Sequence, residues 1–269
     1  MIDWHCHMLP GIDDGPETMV ESLAMGRMLA AAGFRVVHCT PHCMSGRYDT
    51  GPDQVRELTE RMQRNLLAAG IPLLVKPGME YYLDENFPEK LIDPLALGES
   101  RLLLVEIPGK AGVEVILENV YLILQRGLKP LFAHPERSPL LNESLPAKNN
   151  GVLRSRIGKL FGRRLPATRG EQMSCHDLRL TLQEAGCLFQ GNLGSFAGWY
   201  GAAVRQAAQR FLENDLYSRL GSDGHGCRFL EGNLLPGLSL VREHPRGNIL
   251  LDSPLPSGVT LQTQEPVNW

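Results

Sequence analysis

The sequence predicts an α/β fold whose parallel strands close into a barrel, with an open doubly wound sheet as the alternative. Two observations predict it. One is a repeated phrase, in which an amphipathic stretch ends in Gly and a short apolar run follows at once. The other is the gathering of His, Asp and Glu at the ends of those runs. The phrase reads AAAGFRVVHCTPH, LLAAGIPLLVKPGMEY, LQRGLKPLFAHPE and LQEAGCLFQGN, and a fifth version, FLENDLYSRLGSDGH, sets Asn-Asp where Gly would stand. Gly just past a helix end takes the left-handed conformation that closes the last turn, and Asn is the next choice. Apolar runs rich in Val, Leu and Phe suit strands buried on both faces, as in a parallel sheet covered by helices.

The elements follow in order. IDW is the first strand, and Pro16, Thr18 and Glu21 mark the start of a helix, the last two in capping-box spacing. FRVVHC is the second strand. Val55, Leu58, Met62 and Leu66 then fall on one helical face, before the strand in IPLLVKPGMEY. RLLLVEIP is the fourth strand, and Val113, Ile116, Val120 and Leu124 give the next helical face. LKPLFAH, CLFQGN and LYSRLGSD complete a count of about seven.

Composition narrows the function classes. With 269 residues, 43% hydrophobic and 21% charged, the chain has the make-up of a globular protein able to bury a substantial core. A net charge of −3 gives no electrostatic case for nucleic acid. No apolar run approaches the roughly 18 residues of a membrane span, and the N-terminus has no basic and apolar leader. The expected location is cytoplasmic. There the six cysteines stay reduced, and no CxxC pair of a zinc ribbon is present.

The strand ends carry the chemistry. The first gives His5 and His7, the second His42, the third Glu80, the fourth Glu106, the fifth His134, and the seventh Asp223 and His225. In parallel α/β folds these C-terminal ends lie on one face and build the active site. Packed carboxylates repel one another and need protons or cations. With Asp14 from the loop after the first strand, nine candidate ligands stand available, five His and four carboxylates. One zinc takes about four ligands, so nine imply two or three divalent ions. The donor mix suits Mn, Fe or Zn better than Mg or Ca. Multinuclear sites of this kind favour hydrolysis of phosphate esters. His38, His176 and His244 stand alone and are expected to be structural or on the surface. Cys6, Cys39, Cys43 and Cys227 neighbour candidate ligands, but strand neighbours point to opposite faces, so these thiols are expected to pack. Spacing does not decide between Asp13 and Asp14.

One mechanism is excluded. A cysteine-based tyrosine phosphatase needs Arg six positions after its Cys, and those positions here hold Ile12, Ser45, Asp49, Thr181, Leu193 and Asn233. No GxxxxGK[ST] loop is present, which argues against an NTP-driven kinase.

HCHMLPGIDDGP, TPH, GMEYY, LLLVEIP, AHPER and SDGH, in this order, resemble the polymerase and histidinol phosphatase (PHP) superfamily. The closest likeness is to its bacterial metal-dependent protein-tyrosine phosphatases of capsule and exopolysaccharide loci, and it covers residues 1–137 and about 176–250. The resemblance implies a distorted (β/α)7 barrel with a trinuclear site, usually Mn or Fe. It implies cleavage of phosphotyrosine on the tail of a bacterial tyrosine kinase that regulates polysaccharide export. It favours Asp14 over Asp13, and it assigns His5, His7, Asp14, His42, Glu80, Glu106, His134, Asp223 and His225 as ligands. It places Arg137 on the phosphate. It expects a second Arg after the final DxH, where Arg228 stands closer than usual.

The reaction expected is in-line attack on phosphorus by hydroxide held at the metals, with Arg137 and Arg228 neutralising the equatorial oxygens. Phenol, with a pKa of about 10, is a good leaving group, so aryl phosphates are the expected substrates. Two alternatives stand beside this: a phosphoesterase for a small molecule such as histidinol phosphate or a nucleotide, and a non-catalytic metal-binding partner module. The chain is expected to be one domain, 1–269, with a basic insertion at 138–174 that carries seven Lys or Arg and two Glu. Leu153, Ile157, Leu160, Phe161 and Leu165 have helical spacing there, so 148–169 is expected either to meet a membrane surface or acidic peptide, or to be a plain surface loop.

Overall fold

The structure is a computed structural model that describes residues 1–142 and 175–252. The expected contact segment 148–169 lies outside the described residues.

Nine strands are present among these residues: β1 (Ile2–Cys6), β2 (Val36–Cys39), β3 (His42–Cys43), β4 (Leu74–Pro77), β5 (Glu80–Tyr82), β6 (Leu102–Glu106), β7 (Lys129–Ala133), β8 (Leu188–Asn192) and β9 (Arg219–Gly221). They form two parallel sheets, β1-β2-β4 and β3-β5-β6-β7-β8-β9. The nine strands fill the seven expected positions, because two runs break. The β2–β3 run breaks at Thr40-Pro41, where Pro has no N–H to give to a ladder. The β4–β5 run breaks at Gly78-Met79, where a Cβ on Gly78 would lie 2.6 Å from Leu97. After each break the strand resumes on a candidate ligand, and the register sets His42 directly opposite Glu80.

The first and last strands meet. Cys6 forms a parallel bridge with Gly224. His7 N donates to the Gly224 carbonyl at 3.0 Å, and Asp223 N donates to the His5 carbonyl at 2.7 Å. The ring therefore closes as a barrel and is not an open doubly wound sheet.

Ten helices are described: α1 (Met19–Ala31), α2 (Pro52–Ala68), α3 (Phe87–Lys90), α4 (Val113–Gln125), α5 (Pro139–Asn142), α6 (Cys175–Glu184), α7 (Leu193–Ala197), α8 (Ala202–Glu213), α9 (Cys227–Arg242) and α10 (Gly247–Asp252). The capping box forms as spaced: Thr18 Oγ1 accepts from Glu21 N, and Glu21 Oε2 accepts from Thr18 N. Gly33, Gly70, Gly127 and Gly186, the four glycines of the repeated phrase, all have positive φ. In the fifth version the left-handed residue is Asp215, at φ 56°, while Asn214 closes the helix at φ −92°. On α2 the buried face is Val55, Thr59, Met62 and Leu66, with Leu58 at its edge. On α4 it is centred on Ile116, Val120 and Ile123 rather than Leu124.

The core has two layers, as strand alternation requires. Outward-facing Leu103, Val105 and Phe132 join the helices in a large apolar layer. Trp4, Leu102, Leu104, Leu131 and Ala133 fill the barrel interior. That interior is solid, so the site above it rests on a packed floor. No helix among the described residues is long and apolar enough to cross a membrane.

Candidate metal centre

All nine predicted ligands converge at the C-terminal rim of the barrel. They fall into four overlapping groups: His7, Asp14, His42 and His225; His5, His7 and Glu80; His5, His134 and Asp223; and His42, Glu80 and Glu106. Within each group the ligating atoms lie within 4.8 Å of one another. Two of the nine hold left-handed backbone conformations, His134 at φ 30° and Asp223 at φ 52°. Such strain in non-glycine residues persists only where surrounding structure enforces it, and it concentrates at functional sites.

The hydrogen bonds decide which face each imidazole presents. His5 Nδ1 lies 2.9 Å from the Gln190 carbonyl Oε1, while Gln190 Nε2 donates to the Gly191 carbonyl. An amide oxygen only accepts, so His5 carries its proton on Nδ1 and presents the lone pair of Nε2. His7 Nδ1 donates to Asp13 Oδ2 at 2.7 Å, and His225 Nδ1 to the Asp223 carbonyl at 2.8 Å, with the same result. The His5 and His7 Nε2 atoms then face each other at 3.0 Å. Glu80 Oε2 lies 3.2 Å from His5 Nε2, 3.3 Å from His7 Nε2 and 3.0 Å from His42 Nδ1. It is fully buried and has no properly formed hydrogen bond. Two lone pairs and a bare carboxylate oxygen pointing at one space repel one another unless positive charge sits between them. Among a borderline-soft set of imidazoles and carboxylates, that charge fits a divalent transition ion.

The ionisation pattern shows the same demand for positive charge, which protons meet when no cation does. Burial is the largest influence on His5 and His7 and favours their neutral forms. The Glu80 and Asp223 charges around His5, and Asp13 beside His7, outweigh it and raise both. Burial likewise works to raise Glu80 and Asp223, yet the surrounding histidines hold both well below the usual carboxylate range. Glu106 is pushed up to about 7, first by burial and then by the Glu80 charge. His134 is lowered to about 4 by burial and then by Arg137.

Arg137 follows His134 through a short 3₁₀ turn, Pro135–Arg137. Its Nη1 donates to Asp223 Oδ2 at 2.9 Å, and its guanidinium lies 4.4 Å over the Tyr200 ring. Asn192 Nδ2 and Tyr200 OH reach the same Asp223 oxygen at 2.7 and 3.2 Å. Asp223 thus turns Oδ1 toward His5 and His7 and Oδ2 toward these donors. Arg137 and Arg228 both line a cavity of about 810 Å³ that opens over Asp14, His42, Glu106, His134, Asp223 and His225.

Several supporting residues stand outside the nine predicted ligands. Asp13 is one: its buried Oδ2 accepts hydrogen bonds from His7 Nδ1 and the His42 N–H, while Asp14 points at His42 Nε2 and His225 Nε2 at 3.5 and 3.4 Å. The neighbours divide the work, Asp13 orienting and Asp14 facing the cluster. Glu136 is another, fully buried and accepting from Asn192 N and Tyr217 OH, each at 2.9 Å. Gln190, Asn192, Tyr200 and Arg47 complete the surroundings, the last as part of the cavity wall. The dipeptide DD and the Glu of AHPER were their visible signals in the sequence. Three of the four thiols, Cys6, Cys39 and Cys43, are buried as expected, while Cys227 is half-buried against the core, and burial pushes the Cys43 thiol up to about 11. His38 is buried and stacked on Trp4 at 4.6 Å, a structural role.

A closed parallel barrel with imidazoles and carboxylates clustered at its strand ends is the architecture of metal-dependent hydrolases. A family model for capsular polysaccharide synthesis proteins of the CpsB/CapC type matches residues 1–150, and the chain belongs to that family. It is 28% identical over 230 residues to tyrosine-protein phosphatase YwqE of Bacillus subtilis (strain 168), covering 85% of this chain and 78% of that one. It is 26% identical over 227 residues to tyrosine-protein phosphatase CpsB of Streptococcus pneumoniae, covering 84% and 83%. Among solved structures it matches one from the work on YwqE of B. subtilis and CpsB of S. pneumoniae, described as unique metal-dependent tyrosine phosphatases. The TM-score is 0.71 at 26% identity, over 93% of this chain and 94% of that one. The histidinol phosphate phosphatase of Lactococcus lactis shares the fold, with TM-score 0.52 at 12% identity over 91% and 93%.

Proposed function

We propose that this chain is a metal-dependent, non-cysteine protein-tyrosine phosphatase. Its substrate is a phosphotyrosine protein, the tail of a bacterial tyrosine kinase of polysaccharide synthesis. Its cofactor is two or three divalent ions, Mn or Fe, with Zn also accommodated. The ligands are His5, His7, Asp14, His42, Glu80, Glu106, His134, Asp223 and His225. The observation that carries the proposal is the fully buried Glu80 Oε2, without a hydrogen bond and ringed by three imidazole nitrogens at 3.0 to 3.3 Å. Family membership and the two named phosphatase relatives support it.

Divalent ions held here supply Lewis-acid charge and lower the pKa of water to about 7 in favourable cases. The chain's own residues do the rest. Asp13, Gln190 and the Asp223 carbonyl fix the imidazole tautomers, so three Nε2 lone pairs stand ready. Arg137, stacked on Tyr200, offers a planar fork to phosphate oxygens at the mouth, with Arg228 on the same cavity wall. The departing phenolate is stable enough near neutral pH that no strong general acid is required.

The test is an assay of purified protein on phosphotyrosine and phosphoserine peptides, with and without chelator, alongside a count of metals per chain. The expected result is chelator-sensitive activity that favours phosphotyrosine, with two or three ions bound. Chelator-resistant activity overturns the proposal, and equal rates on the two peptides remove its aryl specificity.

A further inference from the structure

The cavity wall carries aromatic surface that metal binding and phosphate binding leave unexplained. Trp199 lines the cavity and is 50% exposed. Its indole meets the Phe229 ring edge-to-face at 5.3 Å and 77°, and Tyr200 meets the same ring at 6.4 Å. The two residues sit in a fixed bend between α7 and α8. Gly198 and Gly201 flank them at φ 88° and 91°, and Trp199 N donates to the Gly194 carbonyl at 3.0 Å. Phe229 is equally constrained, since a Cβ on Gly194 would lie 2.7 Å from its ring. A large apolar ring held rigid and half uncovered gains nothing for the fold from its open surface.

The position of this wall gives it a use. Tyr200, the next residue, carries the Arg137 guanidinium on its ring at 4.4 Å. A phosphate held at Arg137 therefore shares its cavity with Trp199 and Phe229. We propose that Trp199, backed by Phe229, is a specificity-determining residue that holds the aryl ring of the phosphoester. This rests on the phosphatase activity proposed above and deepens it. Leaving-group chemistry favours phenol on any catalyst, whereas this wall favours an aromatic ester by binding. A phosphoserine offers a single methylene beyond its ester oxygen and covers little of that surface.

The experiment uses the full metal-loaded chain and two phosphonates that are not hydrolysed, benzylphosphonate and methylphosphonate, with affinities measured by calorimetry. The wild type is expected to prefer the benzyl compound. Trp199→Ala is expected to cut that preference about threefold to tenfold, the range set by one aromatic pair. Its methylphosphonate affinity stays within about twofold, and Trp199→Phe recovers most of the loss. On a phosphotyrosine peptide the Ala variant raises KM and leaves kcat near the wild type. An unchanged preference in Trp199→Ala overturns the inference. So does an equal loss for both phosphonates, which would mark a structural role. A wild type that binds both phosphonates but hydrolyses no phosphotyrosine peptide instead overturns the proposed function, and the phosphonate preference still tests the wall.

Discussion

The inner and outer halves of the cluster are built differently. His5, His7 and Glu80 have no exposed side-chain surface, and Asp223 has 2%. His5, His7 and Asp223 are each held by fixed neighbours, Gln190, Asp13 and Asn192 in turn. The outer half is open: Asp14 is 43% exposed, His225 28%, Glu106 19% and His42 14%. The inner half is buried and preorganised, so a cation bound there would be held strongly and would exchange slowly. The outer half faces the cavity and is open to solvent. On the proposed ligand set, this difference in exposure within one site would become a difference in how tightly metal is held.

The sharpest way to break this contrast is to remove one ligand from each half. Glu80→Gln is expected to lower activity on a phosphotyrosine peptide by at least about a thousandfold and to strip most of the metal. His225→Ala is expected to cost about a hundredfold or less while part of the metal remains. Metal analysis beside the rates reads the difference, and equal metal loss in both variants would erase the distinction. Next in size is Asp13→Asn, which keeps the shape but weakens the acceptor that fixes His7. A drop of about 10- to 100-fold in metal affinity is expected, with the fold intact by circular dichroism.

Acidity probes the same contrast more gently. His5 and His7 are raised by their carboxylate neighbours, and Glu106 is pushed up to about 7. Each must shed a proton before it can ligate, so metal binding releases protons, and affinity rises with pH. Calorimetry between about pH 8 and about pH 6 should show weakening of up to about tenfold per unit for each proton released. Affinity that does not change over this range would contradict the assignment. Smallest in its effect on the chemistry is Glu136→Gln. The amide cannot accept from both Asn192 N and Tyr217 OH through equivalent oxygens. A loss of about 1–3 kcal/mol in unfolding free energy is expected, read by denaturant titration, with metal content unchanged.

The gathering of imidazoles and carboxylates at the strand ends was legible because each residue sits in a short motif at a fixed point of a repeating phrase. HxH, PH, ME, VE, HPE and SDGH all mark places where an apolar run stops. The barrel was legible for the same reason, and the phrase's four glycines all took the conformation assigned to them. The supporting residues were not legible. Gln190 lies 185 positions from His5, and Asn192 lies 31 from Asp223. Those partnerships exist only once β8 lies beside β9 and the chain after β9 meets β1, and no local pattern encodes them. The strand breaks at Pro41 and Gly78 were present in the sequence as single residues, but their effect on register needed the neighbouring strand.

The seam between the first and last strands has a consequence for how the protein is made. His5 and His7 are synthesised more than two hundred residues before Asp223 and His225. Cys6 and Gly224 complete the ring only then. A nascent chain that lacks its last strand lacks Asp223 or His225 in two of the four ligand groups. On the proposed ligand set, full affinity for metal would arrive only with that closure, so loading would report completion of the ring.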